Sequence, residues 1–102
     1  MTYSVVYVLR KDDNTYLLDP PEKGESVLRA FSNHEDCRRY GAHHNKDYRV
    51  VSIEMVDLWS ALPTLNEQSV RMFKSPIRVE LCRFTDHVIE VRSLRRNFGI
   101  AN

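Results

Sequence analysis

The chain of 102 residues is long enough for one hydrophobic core and too short for two. Hydrophobic residues at 42% and charged residues at 28% match ordinary globular usage, while three Gly and four Pro exclude a fibrous or low-complexity chain. Fifteen Lys and Arg against fourteen Asp and Glu leave a formal charge of +1, which excludes both a polybasic nucleic-acid coat and an acidic mimic of DNA.

The first apolar stretch, Met1 to Leu9, is too short for a secretion signal, and Arg10-Lys11-Asp12-Asp13 closes it. No apolar run reaches the roughly 18 residues of a membrane-spanning helix, so no membrane partner is expected. Cys37 and Cys82 stand far apart, unlike a disulfide framework, and read as reduced thiols of a cytoplasmic protein.

Thr2 to Leu9, rich in Val and Tyr, reads as a strand; Lys11 to Asn14 supplies a turn, and Thr15 to Leu18 is the expected returning arm of a hairpin. Asp19-Pro20-Pro21-Glu22-Lys23-Gly24 reads as a loop because neither proline can donate to a ladder. Ser26 to Phe31 is the next strand. Ser32-Asn33-His34-Glu35 has the form of a capping box with Ser32 as N-cap, opening a helix to about His44 that Asn45 stops.

Tyr48 to Met55 follows as a strand, and strand, helix, strand at this length predicts a βαβ unit with parallel strands. Asp57 is expected to cap a short turn through Leu58, Trp59 and Leu62 that Pro63 stops. Thr64-Leu65-Asn66-Glu67 then opens a helix to about Phe73, with Met72 and Phe73 in the core. Ile77 to Phe84 alternates, Val88 to Leu94 returns, and Thr85-Asp86-His87 joins them as a second hairpin. Arg95 to Asn102 has no period and is expected to fray. The sum is one α+β domain over 1–102: a single mixed sheet of about five to six strands with two or three helices on one face. Its open edges make a homo-oligomer the expected state.

Four residues of the first helix raise the question of chemistry. His34, Cys37, Gly41 and His44 share a face at three- and four-residue spacing, with His43 adjacent. A zinc site there would need His87 or Cys82 as a further ligand. Cys37 beside Arg38 and Arg39 could also be read as a thiolate nucleophile. The simpler reading packs Cys37, Tyr40 and Gly41 on the sheet and leaves the histidines at a solvated helix end, so neither a metal nor a cofactor is expected.

Local charge is more informative. From Arg71 to Asn102 seven Lys or Arg face Glu80, Asp86 and Glu90, and Arg78, Arg83, Arg92, Arg95 and Arg96 could together grip a phosphate-bearing ligand. Trp59, among more apolar neighbours than a short helix can bury, is the candidate anchor for a protein partner. The expectation is a non-enzymatic binding or regulatory module that acts by occupancy. A nucleotide or nucleic-acid binder using the C-terminal arginines is the alternative, and a small Cys/His enzyme the third.

Overall fold

The computed structural model describes residues 5–44 and 47–97. In chain order the elements are β1 (Val5–Arg10), β2 (Asp19–Glu22), β3 (Glu25–Phe31), α1 (His34–Ala42), β4 (Arg49–Glu54), α2 (Met55–Ser60), α3 (Leu62–Phe73), β5 (Ile77–Thr85) and β6 (Val88–Asn97). They form one open, mixed, six-stranded sheet ordered β4-β1-β3-β5-β6, with β2 also paired to β3. The α+β reading with a single mixed sheet therefore holds.

The centre of the sheet is the parallel pair β3 and β5, in register from Ser26 opposite Ile77 to Phe31 opposite Cys82. Both strands bury residues on both sides. Leu28, Ala30, Ile77, Val79 and Leu81 join Val6 and Val8 in one cluster, beneath Met55, Leu58, Leu62 and Leu65 of α2 and α3. Phe31, Cys82 and Phe84 join Leu9 in the other, beneath Cys37 and Tyr40 of α1. Alternate side chains point to opposite faces, so a strand with buried residues at consecutive positions must be covered twice. The three helices are accordingly divided between the faces, where the sequence reading put them on one.

The βαβ unit is present in split form. β1 is antiparallel to both β3 and β4, which makes β3 and β4 parallel to each other with β1 between them. α1 bridges them and lies close against the sheet at Gly41, where an added Cβ would stand 2.8 Å from Leu9 Cδ2. Its N-cap is Asn33, whose side chain accepts from the Asp36 N–H at 3.0 Å. Ser32 was the expected cap; an Asn at the next position serves the same orphan donors and shifts the start by one residue. The helix ends at Ala42 with His43 as C-cap, and the expected stop Asn45 lies outside the described residues.

Three further assignments change for identifiable reasons. The arm expected over Thr15 to Leu18 makes only a single bridge, Arg10 to Tyr16, because Gln68 of α3 takes both the N–H and the carbonyl of Tyr16. The Pro20-Pro21 segment is strand, not loop: β2 pairs with β3 only at Asp19–Val27 and Glu22–Glu25, and the prolines fall between those pairs. A short irregular edge strand is where prolines are tolerated. Pro63 opens α3 instead of ending the turn before it, in the first helical turn where its missing N–H costs nothing.

The second hairpin turns on two residues, Asp86 and His87, both with positive φ (52° and 62°), the signature of a tight turn that matches strand twist. β6 continues to Asn97, so Arg95 and Arg96 belong to the strand; 98–102, the rest of the expected tail, lies outside the described residues. Met72, expected in the core, is 48% exposed, whereas Phe73 is half-buried.

The orientation of α2 gives a direct check. Leu58 is fully buried and Val56 is 64% exposed on the same short helix. Leu58→Ala should cost about 2–5 kcal/mol of stability. Val56→Ala should stay within about 0.5 kcal/mol of the parent, both read from urea midpoints.

Candidate functional site

The arginines proposed from sequence as an anion-binding patch meet different fates. Arg78 is 8% exposed, and its neighbours are acidic: Glu80 lies 3.0 Å from Nε and Glu25 3.4 Å from Nη1, with Glu22 at the rim. Its Nε faces Glu80 without the alignment of a hydrogen bond. Arg29 completes this layer, bonding Asp19 through Nε and Glu80 through Nη1 at 2.9 Å. Two guanidinium groups here meet Asp19, Glu25 and Glu80, with Glu22 beyond, so carboxylates outnumber cations and a phosphate would be repelled. Tyr40 adds a hydroxyl that donates to Asp19 at 2.6 Å; burial and that carboxylate both raise the phenol pKa.

Arg83 is engaged elsewhere. β3 stops at Phe31, one residue after which β5 has lost its neighbour, and Asp36 in the first turn of α1 takes the vacant place. Its carboxylate, 1% exposed, accepts from the Phe84 N–H at 3.0 Å, from Arg83 Nε and from Arg39 Nη2 at 2.8 Å. Burial pushes the Asp36 pKa up, but the Arg83 bond, the Phe84 N–H and Arg39 outweigh it and hold the carboxyl below its usual value. Sequence reasoning saw Asp36 only as an acidic residue favoured by the helix dipole; no local pattern signals a carboxylate that ends a strand.

Arg92 pairs with Glu90 on the exposed face of β6. The register shows something further: Val79 pairs with Arg96 but Glu80 with Leu94, and Leu81 pairs with Ser93 but Cys82 with Val91. Arg95 and Arg92 are thus the extra residues of two β-bulges. The side chains of Arg95 and Arg96 lie outside what the structure describes. Trp59 is half-buried, packed with Ile53, Ala61 and Phe73 on the core under α2 and α3.

The reactive residues of α1 disperse. Cys37 is fully buried, and burial pushes its thiol up to about 12; Cys82 is also buried and raised for the same reason. Both are thiols at neutral pH and poor nucleophiles. His34 stacks edge-on against Tyr7, while His44 lies over Tyr40 near the other end of the helix. Among the described residues no three His, Cys, Asp or Glu side chains are grouped to hold a metal ion, so the set of His34, Cys37 and His44 does not converge. His43 instead meets His87 of the β5–β6 turn, with Nε2 and Nδ1 2.8 Å apart.

What remains on the surface is the rim of the sheet. β6 forms one edge, interrupted by its two bulges, a device that spoils pairing with a further strand. β4 forms the other. It pairs with β1 without a break from Val5–Glu54 to Arg10–Arg49, and its sequence Arg49-Val50-Val51-Ser52-Ile53-Glu54 has charge only at its ends and neither proline nor bulge. Val50, Val51 and Ile53 are half-buried and Ser52 is exposed. Among the described residues this is the regular, apolar edge left unpaired. No protein-family model matches the chain, and no curated protein matches it.

Asp36 offers a test of the local electrostatics. Asp36→Asn should cost about 2–4 kcal/mol at neutral pH, because Arg83 and the Phe84 N–H lose a buried anionic acceptor. The folded state holds this carboxyl below its ordinary 3.8. Its stabilising contribution is therefore complete above the carboxylate range and is lost as the pH falls through and below it. Urea melts of the two proteins should differ at pH ~7 and converge toward pH ~2.

Proposed function

We propose that the chain is a small non-enzymatic binding module that acts by occupancy and does so as a homodimer joined through β4. The observation that carries this reading is the unbroken, bulge-free β4 edge described above. An antiparallel ladder is symmetric, so a strand pairs with its own copy about a two-fold axis passing through one residue. With the axis at Ser52, Val51 of one copy lies opposite Ile53 of the other, Ser52 opposite Ser52, and Val50 opposite Glu54. Apolar side chains meet apolar ones on the face that carries α2 and α3. Joining the edges also removes the exposed backbone donors and acceptors that would otherwise invite other strands.

A second reading, phosphate binding by Arg92, Arg95 and Arg96, draws support from the bulges that set Arg92 and Arg95 outside the ladder, since bulges often re-aim side chains at binding sites. Arg78 and Arg83 do not contribute to it, being held by Glu80 and Asp36.

Residues directly opposite in an antiparallel pair have Cα atoms about 4.5–5.5 Å apart, within reach of a disulfide. Ser52→Cys should therefore give a covalent dimer on mild oxidation, with Cys37 and Cys82 silent because they are buried. Val51→Lys should shift the native mass to the monomer. A Ser52→Cys chain that stays monomeric under oxidant would contradict the β4 dimer. Binding of a labelled oligonucleotide that falls steeply with salt and is lost in Arg92→Ala/Arg95→Ala would favour the second reading.

A further inference from the structure

The pair formed by His43 and His87 is independent of the β4 edge and has a chemistry of its own. His43 is the C-cap of α1, and its ring stands edge-on to Phe84 at 5.4 Å between centroids. His87 occupies the second position of the β5–β6 turn, and its ring meets the His43 ring at 4.7 Å and Phe84 at 6.2 Å. Two elements 44 residues apart thus hold two imidazoles on one aromatic floor, with His43 Nε2 and His87 Nδ1 2.8 Å apart. Both rings are exposed, so water reaches the remaining side of the pair.

We infer that these two nitrogens form a chelating site for a divalent late transition ion of tetragonal preference, Cu²⁺ or Ni²⁺, with water in the other positions. Metal–nitrogen bonds of about 2.0–2.1 Å place adjacent ligand nitrogens about 2.9 Å apart at a right angle and about 3.3 Å apart at a tetrahedral angle. The observed separation is close to the first, so turning the two rings toward a common ion reaches the geometry that Cu²⁺ and Ni²⁺ favour with nitrogen ligands.

The surrounding charge suits a cation. The site sits at the C-terminal, negative end of α1. The adjoining hollow of about 320 Å³ is lined by Arg39, Phe84, Thr85, Asp86 and His87, and the Arg39 charge is offset by Asp36 at 2.8 Å. In the metal-free pair one nitrogen carries the proton that it donates to the other. On chelation both facing nitrogens turn lone pairs to the ion, and the donor ring carries its proton on its other nitrogen.

The test uses the untagged full chain titrated with NiCl₂ and with CuSO₄ by calorimetry, alongside the ring-proton resonances of the histidines. One ion should bind per chain and broaden or shift the His43 and His87 signals. His43→Ala and His87→Asn should each weaken binding by at least the ~10-fold that even outer-shell changes cause. Asn tolerates the positive φ at position 87, so the turn is kept, and circular dichroism confirms the fold. His34→Ala, altered at the opposite end of α1, should bind as the parent does. Absence of binding by the parent, or parent-like affinity in a His43→Ala/His87→Asn double variant, would overturn the site.

Discussion

β3 and β5 run side by side in parallel with apolar residues on both of their faces, and this sandwiching constraint determines most of what surrounds them. A parallel pair cannot be joined by a tight turn, so the intervening chain must travel, and it does so through α1, β4, α2 and α3. Because Phe31, Cys82 and Phe84 need cover on one side and Leu28, Val79 and Leu81 on the other, the helices are drawn to both. Both faces of the central strands are thereby committed to the core, and exposed positions lie toward β6, the rim and the turns.

The charges are arranged in the same spirit. Asp36 supplies the acceptor that β5 lacks beyond the end of β3, and it takes Arg83 and Arg39 with it. Asp19, Glu80 and Glu25 surround Arg29 and Arg78 where β2, β3 and β5 meet. Buried ion pairs of this kind contribute little net stability, but removing one partner strands the other, so each arginine is held in place by the cost of its release. Arg78 and Arg83 of the cationic stretch are consequently engaged inside the fold by Glu80 and Asp36. The cysteines follow the same logic: desolvation keeps them as thiols, and they serve as small apolar residues.

Strand periodicity made the second hairpin, β3, β4 and the overall class legible, since alternation over Ile77 to Phe84 and the β-branched run at Val50 to Ile53 are local signals. Features that depend on distant partners were not legible. Gln68 claims the backbone of Tyr16 across 52 positions, which no reading of Thr15 to Leu18 could reveal. The Pro20-Pro21 strand exists because its paired positions happen to bracket the prolines. The burial of Arg78 and the pairing of Arg83 depend on which carboxylates lie beside them. His87 was recognised as a candidate ligand, but its partner is His43 at the helix end instead of the His34, Cys37 and His44 face, because α1 turns that face across sheet, solvent and Tyr40 alike.

With β3 and β5 covered on both faces and the β6 edge broken by bulges, β4 is the edge proposed to pair with a second copy of the chain. Amide hydrogen exchange, followed residue by residue at low and high protein concentration, probes that edge without altering it. Slowing of the outward-facing β4 amides as concentration rises, with β6 unchanged and a native mass of two chains, is the predicted result. Exchange at β4 that is fast and independent of concentration, together with the mass of a single chain, would contradict it.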